Sequence, residues 1–366
     1  MLPCDPCDLR PVMMAELDAQ ALRQEEGQAG LSLRRLYLGA EAAMGARARL
    51  LGVVNFAGER PAVLDASFGL AMGGPWSVVA GYGKTPLFAS ARDQSVETSP
   101  LPDLSMSTQA LWPGRDLGVE LRLAGPSLPV AARARIGNGS GSPRGNDNPK
   151  PSADLRLDTS WGRAREGAKR GEALGLLVGV GVHAEVAADR AGTTGETLGG
   201  FTYWTAPTVS GPVWLGEAHA VGLLGPVQVT VEGGWIREGR AQDMDGDPDT
   251  AQDVLDPVVS EGGSAELAWM VTGQHRLPGG WPATDADRLG VEIAARGSRL
   301  ALGRGAEDIA DGGAWSGEAG ARIWSPHGLA LGLAGGVTAY DSPPPEEPEA
   351  ALGWTVTLRV TGRLRS

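Results

Sequence analysis

Lysine is almost absent from the 366 residues: it stands only at Lys84, Lys150 and Lys169, so nearly all of the 32 basic side chains are arginine. Arginine stays ionised and grips carboxylate or phosphate through paired N–H donors. Against these stand 44 acidic residues, and a net charge of -12 with no local basic stripe excludes a nucleic-acid partner. Cysteine occurs only at Cys4 and Cys7. A lone Cys-x-x-Cys lacks the second pair that such a zinc site needs, and no βαβ pattern follows it, so it reads as a stray or disulfide-bonded pair. No run of about 18 apolar residues occurs, which excludes a helical membrane span. His183, His219, His275 and His327 are scattered without metal-ligand spacing or a nucleophile-elbow context. No enzyme, metal or cofactor is expected. The opening residues also show neither a basic n-region nor an apolar h-region, so the expectation is a mature or truncated form, or a misplaced start.

What is abundant is glycine, at 55 residues, with 26 prolines, a composition suited to many strands and many turns. Period-two alternation then runs through stretch after stretch. From 62 to 72 the even positions are Ala62, Leu64, Ala66, Phe68, Leu70 and Met72, with Asp65, Ser67 and Gly69 between them. Leu117, Val119, Leu121 and Leu123 alternate with Glu120 and Arg122, and Leu155, Leu157 and Trp161 with Asp154, Arg156 and Asp158. The last stretch sets Leu352, Trp354, Val356, Leu358, Val360 and Leu364 against Thr355, Thr357, Arg359, Thr361, Arg363 and Arg365. A soluble β-sandwich, for example a carbohydrate-binding one, would alternate as well. Several stretches, however, reach the roughly 9 to 11 residues of a tilted membrane strand. Tryptophans also gather near strand ends, at Trp76, Trp161 and Trp324, as an interfacial girdle requires.

Tight connections at Ala43 to Ala46, Gly73-Gly74-Pro75, Gly125-Pro126, Gly225-Pro226 and Ser325-Pro326-His327-Gly328 should all fall on one side of a membrane. Strands at 12–20, 31–43, 46–57, 62–72, 76–85, 116–124, 129–138, 153–162, 173–186, 213–222, 226–237, 262–274, 287–303, 313–324, 328–340 and 351–365 satisfy that parity. The expected fold class is all-β, a 16-stranded antiparallel transmembrane β-barrel with short periplasmic turns and longer extracellular loops. Residues 1–11 form a periplasmic stub and 12–365 a single barrel domain. Stretch 196–205 belongs to a long external loop, and 86–115 is the connection most able to fold inward as a constriction.

At Leu33-Arg34-Arg35-Leu36-Tyr37-Leu38-Gly39 the chain resembles the arginine-pair strand of the phosphate-selective porin O and P family. Gly81-Tyr82-Gly83-Lys84-Thr85-Pro86 is similar to the strand end entering that family's third loop, and Pro113-Gly114-Arg115-Asp116-Leu117-Gly118-Val119 to the strand leaving it. Val271-Thr272-Gly273-Gln274-His275-Arg276 and Glu292-Ile293-Ala294-Ala295-Arg296 are similar to its late motifs. The resemblance implies an anion-conducting outer-membrane porin of a Gram-negative bacterium, a homotrimer in lipid. Its solutes would be small anions such as phosphate, passing a narrow zone that carries Arg34, Arg35, Lys84 and Arg115.

By alternation the lumen also receives Arg47, Arg49, Arg122, Arg133 and Arg135, with Arg156, Arg288, Arg296, Arg322, Arg359 and Arg363 further along. Asp65, Glu120, Asp154, Asp158, Glu232, Glu266, Glu292 and Glu318 face them. A narrow ring of arginines would favour anions. Paired with those carboxylates across the wall, the same arginines would only brace a wet interior. A barrel plugged by 86–115, with a structural or surface-interaction role, is the second expectation. Asp243-Met244-Asp245-Gly246-Asp247-Pro248-Asp249 has early calcium-loop spacing, but Val254 stands where a bidentate Glu belongs, so it reads as a solvated acidic loop. A barrel comes out of membranes only with detergent; release of this protein by salt or alkali alone would return the reading to the soluble sandwich.

Overall fold

The computed structural model describes residues 7–23, 29–93, 98–125, 128–139, 141–143, 148, 150–162, 174–198, 200–242, 253–274, 276, 288–342 and 351–364. Cys4, Lys169, His275 and the acidic stretch 243–249 lie outside them. In chain order the first strands are β1 (Cys7–Arg23), β2 (Ala29–Met44), β3 (Ala48–Asn55), β4 (Ala62–Gly73) and β5 (Trp76–Lys84). Two short helices follow, α1 (Ala89–Arg92) and α2 (Met106–Leu111), then β6 (Arg115–Leu123), β7 (Val130–Gly137), β8 (Lys150–Gly162) and β9 (Leu174–Ala191). A small hairpin, β10 (Gly195–Glu196) and β11 (Thr202–Trp204), precedes β12 (Thr208–Leu224), β13 (Val227–Gln242) and β14 (Asp253–Met270). The chain closes with β15 (Gly290–Arg304), β16 (Gly312–Trp324), β17 (Leu329–Tyr340) and β18 (Leu352–Leu364).

Sixteen of these strands form one closed antiparallel barrel, and β10–β11 is a separate two-stranded sheet. Closure is made by β1 against β18, from Met13↔Leu364 to Arg23↔Trp354. Every expected strand is present, but the ends move. β1 begins at Cys7 instead of 12, β9 runs on to Ala191, and β14 starts at Asp253 instead of 262. The stretch expected in an external loop at 196–205 contains the β10–β11 hairpin. The wall is therefore uneven: β3, β5, β6 and β7 are 8 to 9 residues long, whereas β9, β12, β13 and β14 reach 16 to 18. Tight turns sit together at one rim, where Gly225 (φ 56) and Gly328 (φ 81) hold the left-handed backbone that a side chain disfavours.

Register assigns the faces. Leu331, Leu333 and Val337 of β17 and Val356, Leu358 and Val360 of β18 are outward and exposed, while Thr357, Arg359 and Thr361 are inward and buried. The same split recurs in β9, whose Leu174, Leu176, Val178, Val180 and Val182 are all exposed. An unbroken apolar outer face on a closed sheet is built for lipid, since every backbone N–H and C=O is satisfied within the wall. Among the described residues no helix is long and apolar enough to cross a membrane, so crossing falls to the strands.

Two expectations are corrected. Trp324 does not join a lipid-facing girdle: it pairs with Ala330 and Gly290 on the inner face, is fully buried, and donates from Nε1 to Glu292 at 3.0 Å. Trp76 and Trp161 do face outward near the turn rim, joined by Trp269. Arg47 is not in a strand; it lies exposed in the turn between β2 and β3, because β3 starts two residues later than 46. Leu358, opposite Leu333 and Ala19 halfway along β18, is well placed to test the lipid face. Leu358→Arg should lower barrel stability by about 2–4 kcal/mol in lipid vesicles, read as a shifted denaturant midpoint; an unchanged midpoint would mean that this face does not meet lipid.

Candidate functional site

The described residues of the connection from β5 to β6 lie inside the barrel instead of over it. Its apolar side chains require that: Leu87, Phe88, Leu101, Met106 and Leu111 are 0–1% exposed, which no external loop could achieve. Ser105 starts α2 locally, its hydroxyl accepting from the Thr108 N–H. Met106, Leu111, Leu87 and Phe88 then pack on inward-facing Val213, Leu215, Leu300, Leu302 and Ala314. The β10–β11 hairpin adds Tyr203 and Trp204 to the same cluster, with Trp204 Nε1 donating to the Ala310 carbonyl at 3.0 Å. The tall side of the lumen is thus a dry apolar core. Sequence parity had placed water against every inward residue, and here packed protein replaces it.

Around this core the inserted segment is held by arginines from separate parts of the wall. Arg156 of β8 donates from Nη1 to the Pro86 carbonyl at 3.0 Å, and Arg276, beyond β14, to the Thr98 carbonyl at 2.9 Å. Arg322 of β16 donates to the Ser99 carbonyl at 2.6 Å, and Arg359 of β18 to that of Pro102. Wall carboxylates fix these guanidinium groups from behind: Arg156 meets Asp158 at 2.8 Å, Arg359 meets Asp18 at 2.7 Å, and Arg276 meets Glu292, while Arg156 also reaches Asp93 of the segment at 2.6 Å. Arg322 lies 4.4 Å over the Trp324 ring, which explains that tryptophan's inward position. On the far wall Glu232 accepts from the Ser90 N–H at 3.1 Å and from the hydroxyls of Ser90 and Thr108. Burial pushes the Asp93 carboxyl up, but Arg156, Arg133 and Arg92 hold it down at about 2, so this anchor stays charged.

The expected site residues divide into braces and cavity-lining groups. Arg34 and Arg35 are neighbours and should face opposite ways, yet both turn to the lumen. A register slip between Glu16↔Arg35 and Leu17↔Leu33 bulges β2 at Arg34. Arg34 pairs with Asp103 at 2.9 Å, and Arg35 with Glu16 and, at 3.5 Å, with Asp103. Arg122 pairs with Glu120, Arg133 lies 3.5 Å from Asp93, and Arg135 donates to the Asp116 carbonyl. These five act on protein groups. Arg49, Lys84 and Arg115 instead line a cavity of about 510 Å³ along β1–β5. There Arg115 stands 3.8 Å from Asp65, Lys84 donates to the Ala91 carbonyl at 2.6 Å, and the Arg49 side chain is 78% exposed with Glu41 at 4.0 Å. Arg288 is exposed just before β15.

The clamps Arg156, Arg322 and Arg359 were legible as inward positions but not as holders of the segment. Arg276 carried no periodic signal, being outside any strand. Two of the scattered histidines join the bracing: His183 lies 2.7 Å from Asp154, and His219 is 2.9 Å from both Asp158 and Glu217. Among the described residues no group of metal-ligand side chains gathers.

No protein-family model matches the sequence, and no curated protein matches it either. Solved structures match over the whole length. The anion-selective porin from Comamonas acidovorans is 9% identical with a TM-score of 0.60, covering 98% of this chain and 100% of that one. The outer membrane channel DcaP of Acinetobacter baumannii is 8% identical with a TM-score of 0.60, covering 98% of each chain. OmpT of Vibrio cholerae, an outer membrane protein in a trimer form, is 13% identical with a TM-score of 0.57, covering 97% of this chain and 99% of that one. The fold is that of the outer-membrane barrel porins.

Removing a clamp exposes how much it holds. Arg359→Ala leaves Asp18 buried without its cation and Glu16 with Arg35 alone, and should cost about 3–5 kcal/mol, measured as the unfolding midpoint in detergent or lipid; a loss below 1 kcal/mol, the range of an exposed pair, would show that water screens these groups.

Proposed function

We propose that this chain is an outer-membrane porin through which small anions, phosphate among them, diffuse passively along the β1–β5 side of the lumen. One observation carries the reading. The cavity there is lined by Arg10, Arg49, Lys84, Arg115 and Arg363 against Asp8, Glu41 and Asp65, so cations outnumber carboxylates in this water space. A narrow space with surplus guanidinium raises the local potential and admits anions. The arginine-pair resemblance of the sequence supports the same choice, as does the likeness in fold to a porin whose description is anion-selective. The assembly proposed is a homotrimer in outer-membrane lipid, supported by the trimer form of the Vibrio cholerae OmpT neighbour. A second reading, a plugged barrel with a structural or surface role, is favoured by the hydrogen bonds that tie the inserted segment to walls on every side.

Planar-bilayer recording separates the two. The porin gives steady conductance whose reversal potential in a KCl gradient has the anion sign, and the plugged barrel conducts only after residues 87–112 are deleted. Arg49→Ala and Arg115→Ala should each lower the anion-to-cation permeability ratio severalfold. Arg34→Ala and Arg35→Ala, whose guanidinium groups are occupied by Asp103 and Glu16, should lower it less. Selectivity unmoved by Arg49→Ala and Arg115→Ala would overturn the site assignment.

A further inference from the structure

The lining of the cavity along β1–β5 is not charged throughout. Part of it is apolar, formed by Met14 of β1, Tyr37 of β2, Leu51 and Val53 of β3 and Leu64 of β4. Alternation turns Leu51 and Val53 inward on the same face of β3 as Arg49. Leu64 reaches the lumen through a second register slip, between Val53↔Asp65 and Val54↔Val63. Met14 and Val53 are packed down to 4% and 6% exposure, so this is a formed wall and not a set of loose side chains. Other inward apolar residues pack into the core around α2 or into smaller clusters such as Val221 and Leu223 on Ala89 and Met270 on Trp324; those along β1–β4 border the water space itself. A path for hydrated inorganic ions gains nothing from such a wall, because apolar surface offers no group to replace the ion's water.

We propose that the solutes this cavity prefers are amphipathic organic anions, short-chain or aromatic carboxylates, whose charge meets Arg49 and Arg115 while the carbon body lies on Leu51, Val53 and Leu64. The inference rests on the anion-channel reading and adds to it a solute class. A cavity of about 510 Å³ accommodates a ring or short chain together with part of its hydration. Each methylene taken fully out of water shifts an equilibrium constant roughly fourfold, so a chain-length dependence is the signature of the apolar wall.

The test is block of chloride current through the full-length protein in planar bilayers by acetate, butyrate, hexanoate, benzoate and inorganic phosphate. The half-blocking concentration should fall from acetate to hexanoate by on the order of tenfold, given partial burial of the added methylenes, with phosphate weaker than hexanoate or benzoate. Leu51→Thr and Val53→Thr should flatten that series, whereas Arg115→Gln should weaken every member alike. The variants' own conductance reports that they are folded. Anion-selective current blocked equally by acetate, hexanoate and phosphate would overturn the inference and leave the channel reading standing. A chain-length trend unchanged in both threonine variants would assign the effect to the bilayer and overturn it too. Current without anion selectivity would instead sink the reading beneath it.

Discussion

The pairing of the first strand with the last is the constraint on which everything else depends. Lipid offers no hydrogen bond to a peptide group, so a sheet can cross it only when no edge remains. β1 meets β18 over eleven partnered residues, and from that closure come two faces bathed by different media. Alternation along each strand follows directly: Leu358 must be apolar because it points out, and Arg359 can be charged because it points in.

The interior is divided again. On the tall side, α2 and the β10–β11 hairpin make a dry core with Leu215, Leu300 and Leu302, where ordinary hydrophobic packing applies. Next to it runs a belt of buried guanidinium groups. Arg156 shows why these are not lysines: Nε serves Asp158, Nη1 the Pro86 carbonyl and Nη2 Asp93, three acceptors in three directions from one planar group. An ammonium could not hold a carboxylate and a loop carbonyl in that fixed geometry. The β1–β5 side keeps a water space of about 510 Å³, while the apolar side chains of the inserted segment pack on the long strands β12 and β13 and on β15.

Much of this is legible in the sequence. Sixteen strands and the side on which their tight turns fall can be read from period two and from glycine-proline pairs, because lipid enforces the pattern in every strand. The failures have local causes. Trp324 looked like an interfacial residue because tryptophan at a strand end usually is, but its parity placed it beneath Arg322. Arg47 is lumenal only if β3 begins at residue 46, and the strand begins at Ala48. Arg34 and Arg35 defeat strict alternation, and a bulge is visible only as a slip between two strands. Arg276 lies in a connection, where no period exists to be read.

By itself the sequence determined the wall: which segments extend, which face of each meets lipid and how many close the ring. These are consequences of nearest-neighbour alternation and of backbone groups that must be satisfied in a solvent without donors. The tertiary structure alone decided what fills the ring. Whether an arginine braces a carboxylate, clamps a carbonyl or faces open water depends on partners such as Glu16 and Arg359, 343 positions apart in the chain yet 3.8 Å apart across the closure, and a distance of that kind is set by the fold and not by any local pattern.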